Sequence, residues 1–285
     1  MMPCLNVKFG YRDNFLGDIG PVDKHFAQNV VIRGQEAEIN ALGLKHKELS
    51  DLLRAVVQKG ITHVKVLNVY GQRYIGTRLY FPRDRKRCDI EITGFPGNDL
   101  GCFLNGHRII VYGNAQDGVG NTMDDGEIIV HGRAGDVVAM SMRGGKIFIR
   151  DNVGYRTAIH MKEYREKVPV LVIGGTAQDF LGEYMAGGIV LLLGLTLQDG
   201  ELHRAHYIGT GMHGGAIYLR GNIEDHQLGK EVGVRRLDER DKEIVARYVK
   251  EYCCYFGGNT SEILQGEFRK LIPVSKRPYG KIYAY

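Results

Sequence analysis

Proline is scarce in this chain, with 7 among 285 residues, and cysteine is scarcer still, with 5. The thiols, Cys4, Cys88, Cys102, Cys253 and Cys254, are odd in number. No two have the two-residue gap of a zinc or iron–sulfur site, so no metal or cluster set is predicted. They read as reduced thiols of a cytoplasmic protein. Charge of one sign is not in excess: the net value is +5, and runs such as "RDRKRCDIE" (83–91) and "RRLDERDKE" (235–243) mix both signs. That argues for a solvated surface and against a nucleic-acid partner. The longest apolar stretch, "GGIVLLLGL" (187–195), is too short to span a bilayer. The start, "MMPCLNVKFGYRDNFLGDIG", has no basic segment followed by an apolar run, so neither export nor a membrane anchor is predicted.

What is abundant is glycine, 39 residues without a triplet period, in a chain that is 44% hydrophobic. Such a composition excludes disorder and collagen and points to many tight turns around a sizeable core. The stretch "GNTMDDGEIIVHGRAGDVVAMSMRGGKIFIRD" (120–151) states one pattern twice, and the pattern extends in both directions. The residues closing each apolar run are Gly94, Gly113, Gly132, Asp151, Gly174, Gly194 and Gly221, a unit of about 19 residues with insertions in the later copies. Four places before each marker stand Ile90, Ile109, Ile128, Ile147, Val170, Val190 and Ile217; two before stand Ile92, Val111, Val130, Ile149, Val172, Leu192 and Leu219. A second track of Leu104, Met123, Met142, Met161, Met185 and Met212 follows three residues behind Gly101, Gly120, Ala139, Ala158, Gly182 and Gly209.

Period-2 spacing within a unit means strands, and the same side chain at the same place in successive units means strands stacked in register. At about 3.3 Å per residue one unit traces roughly 60 Å, enough for a three-sided turn. The predicted fold is therefore mainly β: a right-handed single-stranded parallel β-helix of about seven rungs, flanked by helical and irregular terminal segments. The domain reading is an N-terminal cap region with one helix (1–61), the parallel β-helix (62–222), and a C-terminal helix with a basic tail (223–285). The helices are residues 44–60, ended by Gly60, and residues 237–256, with Asp238 as N-cap.

Candidate chemistry is thin. "GTGMHGG" holds a G-x-G-x-x-G at Gly209, Gly211 and Gly214, but a strand pattern follows it where a dinucleotide site needs a helix. His203, His206 and His213 are close in sequence yet lack the helix that would aim them at one metal. Asp99, Asp117, Asp136 and Asp179 recur once per unit, either as turn formers or, in a stand-alone solenoid hydrolase, as a carboxylate flank. No catalytic, cofactor-binding or metal residue is assigned. The greasy outward column of Ile110, Ile129, Phe148, Leu171 and Leu191 is the candidate partner interface, with Phe148 as its anchor; a cover supplied by the chain's own terminal segments is the alternative.

The repeat G-D/N-x-x-G-x-x-M-x-G-G-x-I-x-V-x-G resembles the GXGXG family. That family includes the C-terminal β-helix domain of the glutamate synthase large (alpha) subunit and a relative among the subunits of formylmethanofuran dehydrogenase. "GNDLGCFLNG", "GNAQDGVGNTMDDGEIIVHG", "MRGGKIFIRDNVGYRTAIHMKEY", "GMHGGAIYLRG" and the tail "KLIPVSKRPYGKIY" look like the stand-alone version of split, archaeal-type glutamate synthases. The resemblance covers about residues 34–285. It implies a non-catalytic scaffolding subunit whose partners are a glutaminase subunit and a synthase subunit carrying FMN and iron–sulfur clusters; self-association into a homo-oligomer is compatible with it. This chain itself would hold no cofactor. Cys4 is followed by Leu5 and Asn6, where the family's glutaminase has Gly and a β-branched residue, so Cys4 is given no nucleophilic role. An accessory subunit of another amidotransferase-linked or formylmethanofuran dehydrogenase-like oxidoreductase is the alternative.

Overall fold

A computed structural model describes residues 28–79 and 87–275. Cys4, most of the "PRDRKR" insertion (82–87) and the end of the basic tail lie outside the described residues. The chain begins with a hairpin, β1 (Val30–Arg33) and β2 (Glu36–Asn40), then helix α1 (His46–Gln58) and β3 (His63–Tyr70). One strand per unit follows: β4 (Asp89–Phe95), β5 (Arg108–Tyr112), β6 (Glu127–Val130), β7 (Lys146–Ile149), β8 (Val170–Ile173), β9 (Ala186–Leu192) and β10 (Gly214–Arg220). Beyond a 3₁₀ turn at Asp225–Gln227 come β11 (Val232–Arg235), α2 (Glu239–Phe256), α3 (Thr260–Leu264) and β12 (Phe268–Pro273).

The protein is mainly β, but the strands correct the seven-rung parallel β-helix read from the repeat. They form one 12-stranded sheet of mixed direction in the order β1 through β10, then β12 and β11. From β2 to β10 neighbours are parallel; the pairs β1/β2, β10/β12 and β11/β12 are antiparallel. Each unit contributes a single strand, and from β4 to β10 the returning segments hold turns, bends and isolated bridges instead of further strands. The 19-residue period fixes how often a strand recurs, and the single-sheet result shows that it does not fix the conformation of the residues in between.

Register confirms the inward columns over most of the sheet: Ile109 pairs with Ile128 and that with Ile147, while Val111, Val130 and Ile149 align behind them. The fifth unit departs by one residue. Ile147 pairs with Leu171 and Ile149 with Ile173, so these two face the inner core, and Val170 and Val172 face outward. Gly175, not Gly174, is therefore the structural equivalent of Asp151, and its N–H bonds to the Asp151 carbonyl at 3.0 Å.

The inner core runs the length of the sheet, from Ile39 and Val64 through the Met123, Met142, Met161 and Met185 track to Leu271. At its N-terminal end α1 closes it with Leu49, Leu52, Leu53 and Val56. A second core lies on the opposite face of the sheet, between β6–β10 and α2. Asp238 starts α2 by accepting the Asp241 N–H at 2.9 Å, Asp241 returns the bond to Asp238 N at 3.1 Å, and Gly257 ends the helix at φ 80°.

Candidate partner interface

The outward column meets the chain's own C-terminal helix. Ile129, Phe148 and Leu191 are fully buried against Val245, Tyr248, Val249 and Tyr252 of α2, and Ile110 is half-buried at the rim of that cluster. The Phe148 ring lies 5.0 Å from that of Tyr255. Leu171 belongs to the inner core, its outward place being taken by Val170 and Val172. Of the five candidate residues, four share one face, and α2 is what packs on it.

Polar pins fix the helix there. Tyr218 Oη and Lys270 Nζ both donate to Asp241 Oδ1 at 2.7 Å; Lys146 Nζ reaches Glu251 Oε2 at 2.6 Å. Tyr252 Oη donates to the Arg150 carbonyl at 2.8 Å and Tyr255 Oη to Glu127 Oε1 at 2.8 Å. Burial works to raise the Asp241 pKa, but the bonds from Lys270 and Tyr218 outweigh it, so the carboxyl sits below its ordinary value. Burial, reinforced by these carboxylates, pushes the Tyr218 and Tyr255 hydroxyls up, and they stay protonated donors. Sequence reasoning missed the pins, although Tyr248, Tyr252 and Tyr255 already lie on one side of the helical pattern.

The returning segments explain the glycine track. In each unit three alternate residues have positive φ: Asp99, Gly101 and Phe103; Gly118, Gly120 and Thr122; Val137, Ala139 and Ser141; and so on to Tyr207, Gly209 and Gly211. The outer two donate forward and the middle one backward. Gly118 N bonds to Asp136 O at 2.9 Å and Thr122 N to Met140 O at 2.7 Å, while Gly120 N bonds to Leu100 O at 2.8 Å. A left-handed residue costs roughly 1–2 kcal/mol, and this two-way ladder offsets it by satisfying backbone donors. The middle residue is glycine or alanine: a Cβ on Gly101 would stand 2.5 Å from Ile128 Cδ1, a side-chain tip that can turn aside for the methyl group of Ala139 or Ala158 in their own units but leaves little room for anything larger.

The recurrent aspartates serve the same stacking. Asp117 Oδ1 accepts from Asp136 N, and Asp136 Oδ1 from Tyr155 N, both at 2.9 Å; Asp179 Oδ1 accepts from His206 N at 2.8 Å. Asp99 Oδ1 holds Asn121 Nδ2 at 3.0 Å. Each carboxylate reaches the following unit, 19 to 27 residues on, so these aspartates bridge neighbouring units and are not the local turn formers that their recurrence suggested.

The histidines do not converge. His203 is buried between Thr176 Oγ1 (3.2 Å) and the Arg220 carbonyl (2.8 Å), His206 pairs with Asp179 at 3.3 Å, and His213 Nδ1 lies 3.2 Å from the Gly211 carbonyl. Among the described residues no three His, Cys, Asp or Glu side chains are grouped to hold a metal ion. Gly211 N, the centre of the G-x-G-x-x-G, is bonded to Glu231 Oε2 at 3.0 Å, and β10 follows it. Burial pushes the Cys88 thiol up to about 12, with Asp89 adding to it, and Cys102 up to about 11, with Asp99 adding to it. Both are protonated and poor nucleophiles. No helix among the described residues is long and apolar enough to cross a membrane.

Fold and side chains together define a repeat protein whose recurrent polar groups join one unit to the next and whose remaining pins hold α2 on the sheet. The model of the GXGXG motif family matches residues 53–275, and the chain belongs to that family. An uncharacterized protein of Methanocaldococcus jannaschii is 48% identical over 256 residues, 87% of this chain and 97% of that protein. Among solved structures, a chain of the formyltransferase/hydrolase complex of Methylorubrum extorquens, solved with methylofuran, is similar with a TM-score of 0.54. The match covers 82% of this chain and 95% of that one at 15% identity, a likeness of fold.

Proposed function

We propose that this chain is a non-catalytic scaffolding subunit of a multi-subunit glutamate synthase, which converts glutamine and 2-oxoglutarate to glutamate. In this reading a glutaminase subunit releases ammonia, a second subunit uses it with FMN and iron–sulfur clusters, and this chain holds the two in place. The observation that carries the reading is the GXGXG match across residues 53–275. The geometry agrees with it, since the recurrent carboxylates and the backbone donors of the repeat are engaged in unit-to-unit bonds.

A second reading has its own support. The fold likeness to a chain of a formyltransferase/hydrolase complex favours an accessory subunit of a formyl-handling or other amidotransferase-linked oxidoreductase. Isolation of the untagged native complex, with the co-purifying chains identified by mass, separates the two. A glutaminase and a flavin-bearing synthase subunit are expected; formyl-transferring partners would move the assignment to the second reading, and a chain that purifies alone would defeat both. The isolated chain is expected to show no stoichiometric flavin absorbance and no glutaminase activity, and finding either would refute the scaffolding role.

A further inference from the structure

The three histidines grouped in the sequence stand apart, but the fold brings His226, which the sequence leaves out of that group, to His206. A parallel bridge between Ile208 and Leu228 puts these two histidines, each two residues before its bridge partner, at the same place on consecutive turns. Their ring centroids are 5.8 Å apart, with the planes tilted by 38°. Each ring is held by a carboxylate through the same nitrogen: His206 Nδ1 lies 3.3 Å from Asp179 Oδ1, and His226 Nδ1 lies 3.0 Å from Glu224 Oε2. Asp179 Oδ1 is itself fixed by accepting the His206 backbone N–H at 2.8 Å. A carboxylate only accepts, so each neutral imidazole keeps its proton on Nδ1 and its lone pair on Nε2.

A carboxylate on the far nitrogen is the arrangement that orients metal-ligating histidines and raises their basicity, whereas two ion pairs as exposed as these contribute little to stability. Side-chain exposure of 49% at His206 and 62% at His226 leaves both rings open to an ion from solvent. With metal–nitrogen bonds of about 2.1 Å, a ring radius of about 1.2 Å and a tetrahedral angle, two rings on one ion have centroids about 5 Å apart. The observed 5.8 Å closes to that by a movement of about 1 Å, a small rotation of two exposed side chains. We infer that His206 and His226 chelate one divalent transition-metal ion through their Nε2 atoms, with Asp179 and Glu224 orienting them. Imidazole pairs suit zinc, nickel or copper, and magnesium and calcium require oxygen ligands. A closed structural site needs more protein ligands, and no group of three is present among the described residues. Water therefore fills the remaining positions, and the ion exchanges with solvent.

The test is calorimetric titration of the full-length chain with Ni²⁺ alone, an ion that imidazole binds well and that free thiols select less than they select Zn²⁺. One saturable site is expected, with none for Mg²⁺ under the same conditions. His206→Gln and His226→Gln should each weaken it at least about tenfold at an unchanged melting temperature, because either change leaves a single imidazole. Asp179→Asn and Glu224→Gln, which keep both imidazoles and lose only the orienting charge, should each weaken it by about tenfold. His160→Gln, an exposed histidine stacked on Tyr184, should bind as the wild type does. Saturating Ni²⁺ should also raise the melting temperature of the wild type and leave that of the two histidine variants at 206 and 226 where it is. Absence of a saturable site, equal binding of Mg²⁺, full affinity in either of those histidine variants or in both carboxylate variants, or loss of the site in His160→Gln overturns the inference.

Discussion

A buried imidazole is tolerated at low cost only when neutral, and His203 shows how this chain arranges that. Its Nε2–H donates to the Arg220 carbonyl at 2.8 Å, which leaves Nδ1 to accept from the Thr176 hydroxyl at 3.2 Å. Burial lowers its pKa and is only partly opposed by the Arg220 carbonyl and Glu201. With the folded value below the unfolded one of about 6.5, the unfolded chain takes up the proton first. The stabilisation is therefore complete above that pH and is lost as the pH falls below it. Melting temperature should drop between neutral pH and about pH 5, and less so in His203→Gln; an identical drop in the variant would remove His203 from the account. At the small-residue track, Gly101→Val should cost upwards of about 3 kcal/mol, combining a β-branched residue at φ 66° with a Cβ against Ile128. Urea unfolding measures that, and a loss below about 1 kcal/mol would show that the returning segments relax freely.

Among the elements, α2 decides what Phe148 does. With Phe148 wholly buried beneath Tyr255, Phe148→Glu places a carboxylate in an apolar seam and should cost on the order of 3–5 kcal/mol in the isolated chain. A variant that kept its stability and lost only assembly would instead make this face the partner's. Removing one pin is milder: Tyr252→Phe loses the bond to the Arg150 carbonyl and should cost about 1 kcal/mol. The columns from Ile90 to Ile149 are legible in the sequence because alternation with Glu91 or Arg108 sets their phase. At "VLVIGG" (170–175) every residue is apolar and two glycines compete as the marker, so the phase is lost and Leu171 reads as outward. The left-handed backbone at Val137, Arg156 and Phe180 is not legible, since none of these residues favours it and only the ladder of neighbouring units enforces it. That hidden conformation is why the repeat suggests a seven-rung β-helix where the strands make one sheet. The amphipathic pattern of residues 237–256 is readable, but the face it covers is a tertiary matter that both alternatives fit.

At the scale of the whole molecule the sheet is unevenly supported. Strands β6, β7 and β8 are buried on both faces, by the inner core and by α2, and their sequences "EIIV", "KIFI" and "VLVI" are correspondingly continuous in apolar or buried residues. Strands β3, β4 and β5 alternate; no described element covers the outer face of β3 and β4, where Lys65 and Thr93 are exposed, and on β5 only Ile110 reaches the rim of the α2 cluster while Tyr112 is exposed. Both halves share one inner core, so they unfold together in the limit, but opening the N-terminal half breaks contacts on one face only. Local opening free energy follows buried apolar contact. Hydrogen exchange should therefore be graded along the sheet: amides of β6–β8 should exchange only by global unfolding, with rates that track urea stability, while those of β3–β5 exchange through smaller openings. Truncation before Leu237 removes α2 together with α3 and β12; β12 pairs with β10 and β11 only, so the loss of α2 should bring β6–β8 down to the protection of β3–β5, because it is the second face that distinguishes them. Uniform protection in the intact chain, or an unchanged gradient in the truncated one, would mean that the inner core and the inter-unit ladder alone set the stability of each strand and that α2 is an accessory to the fold.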